Sequence, residues 1–253
     1  MKNILIYISP NGSFDNPRPD LINDASISVK VQIENSLELG WAKEDIWLFT
    51  NFEFEYAGIK ARVLDNIDFF DRKPQASKIN ALIKLFDDGI IKKGELYWFH
   101  DLDAFQICTI PELEIDLGEF DMALSDYGLH SRWSTGVIYF GESSRDLFCK
   151  IRDVTYRKNI DEERALTFLT KADKGINKRV KKINKSYNFV PRSLEKMYAV
   201  SDKPIKVIHF HPLGEVSPRE KQRSFYVFNG ENSLNIRFIP DRLLKIFKFH
   251  GVK

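Results

Sequence analysis

Apolar positions along this chain fall into short continuous runs separated by stretches with helical spacing, the pattern of an α/β protein whose strands are buried on both faces. The run over residues 3–9 predicts a first strand that ends at the turn cluster Ser9-Pro10-Asn11-Gly12. Asp24 is placed to cap a helix over about 25–39, stopped by Gly40. Residues 45–50 predict a second short strand, followed by a polar and aromatic loop over 51–58. Ser77 is placed to cap a helix over 78–88, in which Ile79, Leu82, Ile83 and Phe86 recur at helical spacing. A third strand follows over 95–103, and this strand–helix alternation predicts parallel pairing with right-handed crossovers.

The later pattern is less regular. Residues 121–126 and 136–140 predict further strands, joined by a polar loop over 127–135. Ser143 and Ser144 open a helix to about Arg157, and Asp161-Glu162-Glu163 begins another. A late strand over 206–211 precedes a helix-like tail from about Phe238. No repeat, low-complexity linker or boundary interrupts the chain. The expectation is one α/β domain over 1–253, with a mostly parallel sheet and flanking helices.

Composition narrows the class. At 43% hydrophobic and 29% charged, the chain has the balance of a globular protein with a sizeable core. A net charge of +2 excludes a polyelectrolyte binder, so no nucleic-acid partner is expected. Cys108 and Cys149 are the two cysteines, too few for a disulfide framework and consistent with a reducing compartment. The apolar run at the N-terminus is too short for a signal peptide or a membrane span, and a cytoplasmic protein is expected.

The chemistry concentrates at the end of the third strand. Asp101 and Asp103 follow the buried run Tyr97-Trp98-Phe99-His100, where ligands of open α/β sheets collect. Two carboxylates there are costly unless solvated or holding a cation, and paired hard oxygen ligands suit Mg²⁺ or Mn²⁺. There is no Gly-x-Gly-x-x-Gly after the first strand and no Gly-Lys-Ser/Thr loop, which argues against a Rossmann dehydrogenase and a P-loop ATPase. A diphosphate bound here would need a metal to neutralise it.

Other positions carry two readings each. His209 and His211 alternate on the late strand and face opposite ways, so one of them is either a third metal ligand or a histidine bonded within the core. The loop Ser131-Arg132-Trp133-Ser134-Thr135-Gly136 is either an ordinary strand entry or a place where backbone approaches a ligand, with Arg132 and Trp133 near sugar or phosphate. One of Asp161 and Glu162 is read as a helix cap. The other, or Asp126 at a strand end, is a candidate base or transition-state stabiliser. The basic run Lys171–Lys185 is a solvated helical face or a weak contact with a membrane surface or anionic acceptor.

The order of these pieces resembles the GT-A glycosyltransferases, over about residues 3–215, with the glycogenin and bacterial galactosyltransferase branch nearest in motif order. Asp101-Leu102-Asp103 looks like their Asp-x-Asp, Ser134-Thr135-Gly136-Val137 like their Asn-Ser/Ala-Gly-Val strand, and Val207-Ile208-His209-Phe210 like their late histidine strand. The resemblance implies a GT-A-like fold, with residues 1–103 binding a nucleotide sugar and 104–253 binding the acceptor. It implies a hexosyltransferase-type enzyme of glycan biosynthesis, moving sugar from a nucleoside-diphosphate donor to a glycan or glycoconjugate hydroxyl. Asp101, Asp103 and His209 would hold Mn²⁺ or Mg²⁺. Ile8, Ser9, Asn51 and Tyr56 would line the base and ribose pocket. Lys78 and Leu102 would lie at the donor, and Trp133, Ser134, Thr135 and Gly136 at the donor sugar and acceptor. Asp161, Glu162 or Asp126 would supply the carboxylate at the reacting carbon. The alternatives are a sugar-nucleotide-forming nucleotidyltransferase and a non-catalytic module that binds a nucleotide or carbohydrate.

Overall fold

The computed structural model describes residues 1–14, 26–111, 114–127, 132–190, 194–212, 227–228 and 239–251. Asp24 and Ser131 therefore lie outside the described residues. In chain order the first elements are β1 (Lys2–Tyr7), α1 (Ser26–Glu38), β2 (Ile46–Thr50), the hairpin β3 (Glu55–Tyr56) and β4 (Ile59–Lys60), β5 (Arg62–Val63) and α2 (Ser77–Asp87). Then come β6 (Tyr97–His100), β7 (Ala104–Gln106), β8 (Met122–Leu124), β9 (Val137–Phe140), α3 (Arg145–Lys158), α4 (Glu162–Ala172), α5 (Lys174–Asn177) and β10 (Val180–Lys182). The last are α6 (Leu194–Val200), β11 (Val207–His209), the short strands β12 (His211–Pro212) and β13 (Val227–Phe228), and α7 (Asp241–Phe249).

Seven strands form the central sheet in the order β10-β8-β9-β6-β1-β2-β5. The pairs β1–β2, β1–β6, β2–β5 and β8–β10 are parallel. Strand β9 runs antiparallel to both neighbours, β6 and β8, so the sheet is mixed but largely parallel.

The continuous apolar runs are explained by burial on both faces. Ile4, Ile6, Phe49, Tyr97, Phe99, Ile138 and Phe140 pack with residues of α2, α3 and α4 on one side. Leu5 and Leu48 pack with Val29 and Ile33 of α1 on the other, and Trp98 and Tyr139 join a neighbouring cluster. Burying one such side chain contributes roughly 1.5–3 kcal/mol.

Local expectations fail where tertiary contacts reassign a polar group. Ser77 does not cap α2; it is the helix's first residue, preceded by Ala76, and its hydroxyl accepts a hydrogen bond from Phe70 N (2.8 Å). The expected loop over 51–58 contains half of a hairpin, with Ala57 and Gly58 at φ 52° and 79° in its two-residue turn. The basic run is not one helical face: it is divided among the end of α4, α5 and β10. Arg179 pairs with Asp121 and Asp146, and Lys182 and Lys185 pair with Asp126.

Two pairings outside the expected pattern shape the end of β6. Strand β11 runs antiparallel to β7 with His209 opposite Ala104, and Phe210 N donates to Asp103 O (2.9 Å). On the other side, His100 pairs with Val137, and Asp101 N donates to Gly136 O (2.8 Å). The late histidine strand and the glycine strand thereby meet the two aspartates.

Candidate active site

Asp101, Asp103 and His209 each present a ligand atom within 4.8 Å of the others. His209 Nε2 is 3.0 Å from Asp103 Oδ1, and its Nδ1 is 3.2 Å from Asn188 Oδ1. Gly136 makes room for the imidazole: a Cβ there would lie 2.3 Å from His209 Cε1 and 2.6 Å from Nδ1. Only glycine lets β9 pass this close. Two carboxylates and an imidazole form a mixed oxygen and nitrogen donor set that fits Mn²⁺ or Mg²⁺.

Two basic side chains balance the aspartates. Lys78, in the first turn of α2, places Nζ 2.7 and 3.0 Å from the Asp101 carboxylate oxygens, 3.1 Å from Glu162 Oε1 and 3.3 Å from Thr135 O. Burial opposes its charge, but Asp101 and Glu162 outweigh that and hold Lys78 above the ordinary lysine range. Burial raises the Asp101 carboxyl against the pull of Lys78. Burial likewise opposes a charged His209, and Asp103 more than offsets it, so His209 titrates above an ordinary histidine.

Glu162 joins this group from the first residue of α4. Its Oε1 also accepts from Thr135 Oγ1 (3.0 Å), and its Oε2 is buried with no hydrogen-bond partner among the described residues. Such an oxygen is costly unless something fills its acceptor position. Asp161 behaves differently: it is the N-cap of α4, accepting from Arg164 N (2.7 Å), and pairs with Arg132 (2.9 Å). Asp126 is engaged with Lys182 and Lys185, which overcome burial and hold its carboxyl below the usual range.

The remaining candidate residues surround this centre. Ser9 and Asn51 clasp each other across the ends of β1 and β2, with Ser9 N donating to Asn51 Oδ1 (3.0 Å) and Asn51 Nδ2 donating to Ser9 O (2.6 Å). Ile8 packs on the core beside them. Tyr56 turns toward α1, where its hydroxyl donates to Glu34, and its pKa is pushed up to about 12, first by that bond and then by burial. Leu102 O accepts from Gln32 Nε2 (3.0 Å), fixing the turn between the aspartates. The Trp133 indole donates to Thr170 Oγ1 (2.9 Å), which locks it against α4. Ser134 and Thr135 are both buried.

Glu163, its donor Tyr127 and Asn188, which sequence reasoning did not single out, complete the site. Glu163 accepts from Tyr127 OH (2.6 Å) and Thr135 N (3.2 Å) and pairs with Arg132 (2.8 Å). Asn188 donates from Nδ2 to Ser134 Oγ (2.8 Å) and is itself buried. The local signal for Glu163 was the acidic first turn of α4, read as helix-dipole complementarity. Asn188 lies in a loop with no motif around it, and only the fold brings it to Ser134.

No protein-family model matches the sequence, and no curated protein matches it. Among solved structures, the chain superposes on the glycosyltransferase GlyE of Streptococcus pneumoniae TIGR4 with a TM-score of 0.57 at 11% identity, covering 100% of this chain but 65% of GlyE. It superposes on the galactosyltransferase LgtC in complex with donor and acceptor sugar analogs with a TM-score of 0.56 at 12% identity, covering 99% of this chain and 95% of LgtC. A glycosyltransferase involved in glycosylating the major capsid of PBCV-1 gives 0.53 at 9% identity, over 83% and 93% of the two chains. The chain therefore spans about two thirds of GlyE and nearly all of LgtC. With its largely parallel central sheet and an Asp-x-Asp at the end of β6, the chain has the GT-A fold of these glycosyltransferases.

Proposed function

We propose that the protein is a metal-dependent glycosyltransferase that moves a hexosyl group from a nucleoside-diphosphate sugar to the hydroxyl of a glycan or glycoconjugate. The observation that carries this reading is the convergence of Asp101, Asp103 and His209 at the end of β6 within the GT-A fold. The complex of LgtC with donor and acceptor sugar analogs supports sugars as both ligands.

In this reading Asp101, Asp103 and His209 would hold Mn²⁺ or Mg²⁺. A divalent cation there would neutralise the diphosphate and make the nucleotide a better leaving group. Lys78 adds a fixed positive charge beside the phosphates. Of the three candidate carboxylates, Glu162 suits the reacting carbon best, because Lys78 ties it to Asp101 and its buried Oε2 has no hydrogen-bond partner among the described residues. Asp161 and Asp126 are occupied as a cap and as an ion-pair partner. Ser9 and Asn51 stand at strand ends where a base and ribose would sit, with Ile8 beside them, while Tyr56 is engaged by Glu34 of α1. Thr135 and Gly136 would shape the site from within, Thr135 by bonding Glu162 and Gly136 by making room for His209.

The reading takes residues 1–253 as one catalytic unit acting in the cytoplasm, which suits the two free cysteines. Among the described residues no helix is long and apolar enough to cross a membrane. The experiment is a screen of nucleotide sugars for hydrolysis with Mn²⁺, with Mg²⁺ and with chelator. Metal-dependent release of one nucleoside diphosphate supports the reading and identifies the donor. Pyrophosphate-dependent formation of a nucleoside triphosphate would instead show a nucleotidyltransferase.

A further inference from the structure

Among the described residues, β7 is paired to a strand along one edge only, by β11. On that edge Ile107 N donates to Lys206 O (2.8 Å) and Phe210 N donates to Asp103 O (2.9 Å). The alternate carbonyls, those of Leu102, Ala104 and Gln106, are taken by two side-chain amides of α1. Gln32 Nε2 donates to Leu102 O and to Ala104 O, both at 3.0 Å, and Asn35 Nδ2 donates to Gln106 O (2.9 Å). Gln32 and Asn35 stand at i and i+3 on one face of the helix. The helix thus supplies from side chains the donors that a second strand would supply from backbone.

The sense of these bonds is forced. Both oxygens beside Gln32 Nε2 are carbonyls, which only accept, and the amide nitrogen has two protons for them. Gln32 is 1% exposed, and its Oε1 is buried without a hydrogen-bond partner among the described residues. That orphaned oxygen is a cost borne for the two donors.

The acceptors of Gln32 flank Asp103. Ala104 N donates to Asp101 O (2.9 Å), which closes a turn with Leu102 and Asp103 as its central residues. In a turn of this kind the peptide between the central residues is the unit that turns over from one type to another, and here its oxygen is Leu102 O. Gln32 holds that oxygen, and Phe210 N holds Asp103 O on the next peptide. With the peptides on both sides of its Cα fixed, Asp103 is directed to where its Oδ1 lies 3.0 Å from His209 Nε2.

We propose that Gln32 is a positioning residue that aims Asp103 at a divalent cation by fixing the peptide that precedes it. This rests on the metal site proposed above, and adds that a buried amide of α1, acting only through backbone, sets the geometry of one ligand. Partners that hold a metal ligand in place are worth roughly 10–100-fold in metal affinity. Asn35 is the internal comparison: it makes the same kind of bond from the same helix, but its acceptor lies further along β7 and away from Asp103.

The test is Mn²⁺ affinity at neutral pH, read from the electron paramagnetic resonance signal of free Mn²⁺, with melting temperature recorded in parallel. Gln32→Met removes both donors at similar volume and should weaken Mn²⁺ binding about tenfold or more. Asn35→Leu should also lower the melting temperature, yet bind Mn²⁺ as wild type does. Gln32→Glu keeps the shape but has at most one proton to donate, so it too should bind more weakly than wild type, and it carries the test if Gln32→Met fails to fold. Wild-type affinity in folded Gln32→Met or in Gln32→Glu, or an equal loss in Asn35→Leu, would overturn the role of Gln32 while leaving the metal site standing. Absence of Mn²⁺ binding in the wild type would overturn the metal site itself, and this role with it.

Discussion

Lys78 holds Asp101 at 2.7 Å and Glu162 at 3.1 Å, so one ammonium from α2 joins the end of β6 to the start of α4. The Lys78 side chain is 10% exposed and that of Glu162 is 4% exposed, so removing the cation strands a nearly dry carboxylate. Losing one partner of a buried pair costs about 3–5 kcal/mol. Lys78→Met should lose close to that in urea unfolding, and Mn²⁺ should restore part of it. A variant as stable as wild type without metal would show that the two carboxylates do not depend on Lys78.

Glu162 and the other two carboxylates should separate by function. Glu162→Gln keeps the shape and the bond from Thr135 but removes the charge, and donor turnover should fall by at least about a hundredfold. Asp126→Asn should leave turnover near the wild-type rate, because it releases Lys182 and Lys185 instead. Initial rates with the donor found by screening compare the variants. Equal losses in both would remove Glu162 from its assigned place.

Gly136→Ala tests the close passage of β9. The added methyl meets His209 Cε1 at 2.3 Å, and overpacking of this kind costs typically about 1–3 kcal/mol. The imidazole must move, so Mn²⁺ affinity should fall together with the melting temperature. Unchanged affinity in a destabilised protein would mean that His209 does not ligate.

The fold was legible wherever burial alone sets the pattern. The runs around Ile4, Leu48 and Phe99 read as strands because both faces of the sheet are covered, and Ile79, Leu82 and Ile83 read as one face of α2. Asp101 and Asp103 stood out because charge after such a run needs a reason, and His209 because it interrupts another. Polar groups with long-range partners were not legible. Ser77 precedes a helix as a cap would, yet it serves Phe70; Asp126 ends a strand as a base would, yet it serves two lysines from the basic run. Asn188 and Tyr127 have no local signature, since their roles arise only when β9, α4 and β11 come together.

Acid stability should depend on a clamp away from the site. Arg179, just before β10, pairs with Asp121 and Asp146, and its hydrogen bond to Asp146 outweighs burial and holds that carboxyl below the usual range. A carboxyl whose folded pKa is depressed binds more protons when unfolded. Its stabilisation is therefore present above about pH 4 and is lost as pH falls through the folded value. Arg179→Gln should melt below wild type at pH 7, and the gap should close on acidification below about pH 3. Thermal melts across that range decide it; a gap that persists at low pH would assign the loss to packing rather than to the ion pairs.

The central claim is that a cation held by Asp103 and its neighbours recruits a nucleoside diphosphate. Titration calorimetry of UDP, GDP and dTDP into the wild type, with and without Mn²⁺, and into Asp103→Ala tests it most directly. At least one nucleotide should bind the wild type only when Mn²⁺ is present, and Asp103→Ala should lose that binding while melting near the wild-type temperature. Binding of none of them with or without Mn²⁺, or equal binding by Asp103→Ala, would contradict the account.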